Sequence, residues 1–177
     1  MAEQGDRDLA AWIRDVPDFP NPGINFKDIT PLLADPGAFA AAIDALAGDL
    51  TAGAVDKVVG IEARGFVLAA PLALRLGAGF VPVRKQGKLP AAAFSAAYEL
   101  EYGAAVLEVH SDAVAQGERV LIVDDVLATG GTVGATVELV RRAGGKVVGV
   151  TVLLELLTLG GRNRLAGDVD LRSVLAV

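Results

Sequence analysis

Val120-Leu121-Ile122-Val123-Asp124-Asp125-Val126-Leu127-Ala128-Thr129-Gly130-Gly131-Thr132 sets the architecture of this chain. Val120 to Val123 is a short apolar run bounded by charge, the pattern of a central parallel strand covered on both faces. Two carboxylates follow directly. Both cannot be buried without compensation, so they are expected to face a cleft. The carboxyl ends of strands are where open α/β sheets bind ligands. Thr129, Gly130, Gly131 and Thr132 then supply exposed backbone N–H groups, two hydroxyls and no bulk. The start of the next helix adds partial positive charge, and together these make a phosphate cradle. Two familiar nucleotide motifs are excluded. No lysine follows the glycines, as a P-loop requires, and acids stand where a dinucleotide fingerprint needs its first glycine. Carboxylates beside a phosphate loop suit a ligand that carries hydroxyls or a metal as well as phosphate.

Composition narrows the classes. A length of 177 residues predicts one domain spanning 1–177, and 53% hydrophobic residues are enough for a sizeable core. With no cysteine there is no disulfide, thiolate zinc site or cysteine nucleophile. A single histidine, His110, excludes a histidine-rich metal site. A net charge of −6 argues against a nucleic-acid-binding surface. Glu3, Asp6 and Asp8 leave the N-terminus without an apolar signal core, and no apolar run approaches the ~18 residues of a membrane span. A cytoplasmic location without membrane contact is expected.

Strand and helix patterns alternate along the chain. Asp6 to Asp15 suits a short helix with Leu9, Trp12 and Ile13 on one face. Pro17, Pro20, Pro22 and Gly23 break regular structure. They leave Phe19, Ile24 and Phe26 in a stiff loop, where Phe26 either plugs the core or offers a stacking face to a flat ligand. Asp35-Pro36 opens a packing helix to about Leu50, with Phe39, Ile43 and Leu46 or Leu50 inward. Val55 to Ile61 reads as a core strand and Phe66 to Leu76 as a helix. Between them Arg64 is placed either to grip a phosphate or to pair with Glu62. Phe80 to Val83 is a strand. It runs into Arg84-Lys85-Gln86-Gly87-Lys88-Leu89-Pro90, a basic segment that is either a solvated loop or a lid for a polyphosphate. Residues 91–103 show weak periodicity, as a functional or disordered connection would. Ala105 to Val109 is a strand, and His110 reads as a surface or loop residue. Thr132 to Ala143 is a helix ended by Gly144-Gly145. Lys146 to Leu154 is a strand, Gly160 to Leu165 a short helix, and Asp170 to Val177 a last strand. Alternating elements imply a mainly parallel, twisted sheet flanked by helices.

Four motifs in order resemble the type I phosphoribosyltransferases. The organising stretch is similar to their phosphoribosyl-diphosphate (PRPP) motif. That likeness implies that Asp124 and Asp125 hold the ribose hydroxyls while Ala128 to Thr132 hold the 5′-phosphate. Ala63-Arg64 matches their pyrophosphate loop. Lys-x-Gly-Lys-Leu-Pro and Tyr-x-Leu-Glu-Tyr-Gly resemble the flexible catalytic loop. Arg84, Lys85 and Lys88 are thereby implicated in pyrophosphate binding, and Glu101 and Tyr102 in the closed site. Phe-Pro-x-Pro-Gly-Ile-x-Phe-x-Asp-Ile-Thr resembles the N-terminal signature of the adenine-specific branch. It implies that Phe26 stacks on adenine and that the backbones of Asn25 and Lys27 read the ring's edge. Leu156 is implied to close over the opposite face, with Leu157 and Leu159 as neighbouring registers.

The resemblance implies a type I phosphoribosyltransferase fold with a small hood and a flexible loop. It implies an enzyme that turns adenine and PRPP into AMP and pyrophosphate in purine salvage, with Mg²⁺ held mainly by PRPP rather than by a protein cage. Arg64 and Lys88 would stabilise the leaving group, and Glu101 is the candidate acid–base residue. A homodimer is implied, because basic loop residues in this family can serve the neighbouring subunit. Two competitors are a PRPP-sensing regulator and a transferase for xanthine or hypoxanthine. The chain lacks room for a DNA-binding domain, and the Pro-rich adenine segment opposes other purines.

Overall fold

A computed structural model of the chain describes residues 8–99, 104–165, 167 and 169–177. The described residues fall into two compact units, divided after Ala45.

In the first unit a 3-10 turn, Leu9–Trp12, is capped by the Asp8 carboxylate, which accepts from the Ala10 N–H at 3.1 Å. The chain then extends instead of completing the expected helix. Pro17 disfavours helical geometry at Val16, and β1 (Arg14–Val16) pairs antiparallel with β2 (Phe26–Asp28). The proline-rich loop between them is held by Gly23 N–H donating to Asp18 Oδ1 at 2.7 Å. Asp28 accepts the Arg14 guanidinium and both the N–H and hydroxyl of Thr30. The Thr30 N–H, then Arg14, lower its pKa to about 2. That carboxylate sits at the start of α1 (Thr30–Ala34), where negative charge is favoured. Asp35 accepts from Ala38 N–H at 2.7 Å and so caps α2 (Pro36–Ala47), which crosses into the second unit. The helix stops short of Leu50 because Gly48 turns left-handed, with φ of 58°. Ile43 and Leu46 are buried as expected, beside the small residues Ala38 and Ala42.

The second unit is built on one seven-stranded sheet. In chain order its elements are β3 (Lys57–Ile61), α3 (Arg64–Leu76), β4 (Gly79–Lys85), β5 (Ala93–Glu99), β6 (Ala104–His110), β7 (Arg119–Leu127), α4 (Gly131–Arg142), β8 (Lys146–Glu155) and β9 (Leu171–Ala176). The spatial order is β5-β6-β4-β3-β7-β8-β9. β4, β3, β7, β8 and β9 are parallel, while β5 and β6 form an antiparallel hairpin on β4. The fold is α/β with a mostly parallel sheet. Its core runs through Val59, Ile61, Ile122, Leu139, Val150 and Val152, all at most 1% exposed.

The hairpin is the main departure from the sequence reading, which treated residues 91–103 as an irregular connection. Phe94, Ala96 and Tyr98 turn toward the core cluster while Ser95 and Ala97 are exposed. The two-residue period is real, but alanine on both faces erases the contrast that reveals it. Glu101 and Tyr102 lie outside the described residues.

At the opposite end of the sheet Asp56 joins β3 to β7. Its carboxylate accepts the Arg119 N–H at 2.7 Å and the Arg119 guanidinium at 2.8 and 3.1 Å. The Arg119 side chain, then its backbone N–H, lower the Asp56 pKa to about 2. A depressed carboxylate contributes stability above its unfolded pKa and loses it as pH falls through the folded value. Asp56→Asn is therefore expected to lower the urea midpoint most above about pH 4, with the gap from wild type closing toward pH 2. Urea titrations from pH 2 to 7 measure it.

Candidate active site

β7 outlasts its neighbour. Its pairing with β3 ends at Gly60 and Val123, whereas pairing with β8 continues to Leu127 and Glu155. Asp124 and Asp125 thus lie within the strand rather than beyond it, along the stretch that β3 has left. The first turn of α3 occupies the vacated side. A Cβ on Gly65 would stand 2.8 Å from Asp124 Oδ1, so only glycine lets the helix come so near. Arg64 Nε lies 2.7 Å from Asp125 Oδ2. The contact is an ion pair without hydrogen-bond alignment, and among the described residues that oxygen has no aligned donor. The sequence left Arg64 between a phosphate and Glu62. The structure places it beside Asp125.

Both acids are nearly inaccessible, Asp124 at 8% and Asp125 at 5%. Burial pushes the Asp124 carboxyl well up, and the adjacent Asp125 charge adds to it. Burial also raises Asp125, against the pull of the Arg64 guanidinium. Asp125 N–H donates to Asp124 Oδ1 at 2.9 Å. Adjacent like charges in a buried setting make it costly to ionise both carboxyls.

The loop after β7 ends in Gly130, which is left-handed at φ 85° and directly precedes α4. No side chain caps that helix end. Its first-turn N–H groups, flanked by the half-buried Thr129 and Thr132, carry the positive end of the helix dipole. Leu156 follows β8 and donates its N–H to Leu127 O at 2.9 Å, which ties it to the loop's root. It is half-buried, while Leu157 and Leu159 are exposed at 58% and 42%.

The basic segment is gathered by Glu62, a residue the sequence reading considered only as a partner for Arg64. Lys88 Nζ lies 2.8 Å from Glu62 Oε1 and Arg84 Nε 3.3 Å from Oε2, which also accepts the Lys85 N–H at 3.0 Å. Lys88, foremost, holds the Glu62 carboxyl below its ordinary range. Arg84 and Lys88 are thereby brought beside Ala63, which precedes Arg64 at the start of α3. In the first unit, Phe26 is half-buried with the Phe19 ring edge-on at 5.2 Å. The side chains of Asn25 and Lys27 both turn to Asp15. His110 ends β6, and among the described residues its buried Nε2 has no hydrogen-bond partner. Also unread in the sequence was the pairing of Glu155 with Arg162, whose only hint is the Gly-Gly-Arg run.

A carboxyl whose pKa is raised by folding costs stability as pH rises above its unfolded value. Asp124→Asn keeps the acceptor for Asp125 N–H and removes the charge. The variant is expected to match wild type near pH 4 and to be more stable at pH 7 to 8, which thermal melts across that range will read.

The family model of the phosphoribosyl transferase domain matches residues 32–169. The chain is 61% identical over 169 residues to the adenine phosphoribosyltransferase of Acidothermus cellulolyticus, covering 96% of this chain and 95% of the relative. It is similar to the crystal structure of adenine phosphoribosyltransferase from Rhodothermus marinus, with TM-score 0.91, 54% identity and 96% coverage of both chains. The Saccharomyces cerevisiae enzyme, crystallised with an imino-altritol bisphosphate and adenine, matches with TM-score 0.88 at 40% identity over 94% of this chain and 96% of that one. On that family match, and on identity sustained along nearly the whole length, the chain belongs to the adenine phosphoribosyltransferases within the phosphoribosyl transferase family.

Proposed function

We propose that this chain transfers the 5-phosphoribosyl group from PRPP to adenine, releasing AMP and pyrophosphate. The observation that carries the reading is the buried acid pair of β7 followed at once by an uncapped, glycine-led helix start. A sugar with both hydroxyls and a phosphate matches that sequence of groups. The carboxyl pair can accept from the ribose hydroxyls, and Asp125 Oδ2 has acceptor capacity to spare. Ala128, Thr129, Gly130, Gly131 and Thr132 hold the 5′-phosphate through backbone N–H groups and hydroxyls.

In the reaction the bond from C1 of the ribose to the pyrophosphate oxygen breaks, and its electron pair leaves with the pyrophosphate. A bond from C1 to adenine N9 forms, and the N9 proton departs. Binding the remote phosphate fixes C1 against the base and lowers the entropy cost of the step. Ala63 and Arg64 meet the leaving group at the start of α3. Arg84, Lys85 and Lys88 add charge to it, the first and last by exchanging Glu62 for phosphate oxygens. Mg²⁺ arrives as part of the substrate. Among the described residues no three acids or imidazoles converge on one point, and Asp125 already faces Arg64. The ion suits phosphate and water oxygens, where it would offset the charge of the departing pyrophosphate.

Phe26 supplies the stacking face for adenine. With the Asn25 and Lys27 side chains taken up by Asp15, their main chains are left to read the ring's edge. Leu156 is a further candidate for contact with the base. Glu101 is the acid–base candidate, with Tyr102 beside it in the closed site. Residues 1–177 are read as a single-domain chain of a cytoplasmic homodimer. Val67 and Leu74, both exposed on α3, offer apolar surface to a second copy. No helix among the described residues is long and apolar enough to cross a membrane.

With PRPP and Mg²⁺, adenine is expected to release pyrophosphate far faster than hypoxanthine, guanine or xanthine. Faster release with any of those three overturns the assignment, and binding of PRPP without turnover favours a regulator. Asp124→Asn and Asp125→Asn are each expected to lower kcat/KM roughly tenfold to a hundredfold. Phe26→Ala should raise the KM for adenine, and a change confined to thermal stability would return Phe26 to the core.

A further inference from the structure

The loop that follows β7 does not hold its shape alone. Gly161 lies buried against it, at the start of the 3-10 turn Gly161–Arg164. A Cβ on Gly161 would overlap the Ala128 carbonyl oxygen and come within 2.9 Å of Gly130 N. Conversely, a Cβ on Gly130 would stand 2.5 Å from Gly161 O. Two backbones therefore meet with no side chain between them, and the contact falls on the residues that shape the start of α4.

The turn is itself fixed to the sheet. Arg162 Nε donates to Glu155 Oε1 at 2.9 Å, and its second amino nitrogen reaches Glu155 Oε2. Arg162 Nη1 donates to Leu171 O at 2.8 Å, and the Ser173 hydroxyl donates to Glu155 Oε2 at 2.8 Å. Glu155 is 4% exposed at the end of β8, and Arg162, foremost, holds its carboxyl below the ordinary range. A forked guanidinium–carboxylate contact is directional, so it sets the orientation of the turn as well as its distance. Leu156, next to Glu155, is bonded to Leu127 at the root of the loop.

We infer that Gly161, held by the Arg162–Glu155 pair, is a positioning residue for the 5′-phosphate site. It is the rigid backing that keeps the Ala128–Gly130 backbone turned toward the ligand. The inference rests on the reading of residues 128–132 as the phosphate loop. It assigns a task to three residues that touch no substrate in that reading. Displacing the loop costs affinity for the phosphorylated sugar, while the pyrophosphate contacts at Arg64 and around Glu62 stay in place.

The test measures, on the full chain, affinity for ribose 5-phosphate and separately for inorganic pyrophosphate by calorimetry, with the KM values for PRPP and adenine. Gly161→Ala is expected to weaken ribose 5-phosphate roughly tenfold or more and to raise the KM for PRPP similarly. Arg162→Lys, which keeps the charge but loses the fork, should follow in the same direction with a smaller loss. Pyrophosphate affinity and the KM for adenine should stay within about twofold of wild type. Equal losses for both ligands, or none for ribose 5-phosphate, overturn the inference. If Gly161→Ala fails to fold, Arg162→Lys decides by the same two ligands. Thr132→Val separates the two levels of the argument. If it leaves ribose 5-phosphate binding intact, the loop reading itself is wrong. If it weakens binding and neither Gly161→Ala nor Arg162→Lys does, only the backing role fails.

Discussion

Two adjacent carboxylates are buried where the central strand runs past its neighbour, and one guanidinium answers them. Removing these charges from water is costly, and Arg64 Nε stands 2.7 Å from Asp125 Oδ2. The surrounding structure is consistent with that compromise. β3 stops early, α3 starts with Arg64 and then Gly65, and the absent Cβ lets the helix end reach the acids. A chain selected only for stability would place apolar residues here, as it does from Val120 to Val123 and at Val126 and Leu127. Carboxyls whose pKa burial raises, in a corner where Gly65 lets a helix end approach, fit a binding task.

Much of the sheet was readable in the sequence because its strands are saturated with valine, leucine and isoleucine. β3, β7 and β8 announce themselves by continuous apolar runs, and α3 and α4 by stripes bounded by glycine. β5 was hidden because alanine fills both of its faces. β1 was hidden because three residues before a proline carry no period at all. Helix α2 ended early at a glycine whose left-handed turn leaves no trace in an alanine-rich stretch.

The site was legible to a different degree. The acids and glycines of residues 124–132 are contiguous, so their order alone reveals a shared edge. Pairings between distant segments are not encoded that way. Arg64 could be assigned to Glu62 from proximity in sequence, yet it meets Asp125, and Glu62 instead collects Arg84 and Lys88 across the β3–β4 boundary. The bond between Arg162 and Glu155 is similar, since only the return of the chain beside β8 and β9 brings it about. Such partner choices emerge from topology, which local pattern cannot supply.

The pairing of Glu62 with two cations also sets a threshold of valence. A carboxylate already within 2.8 Å of Lys88 acts as a tethered competitor for any incoming anion. A singly charged solute gains too little to dislodge it, whereas a diphosphate can satisfy Arg84 and Lys88 together and release Glu62 to solvent. On the proposed reading, an internal counterion of this kind would favour a multiply charged leaving group over chloride or acetate.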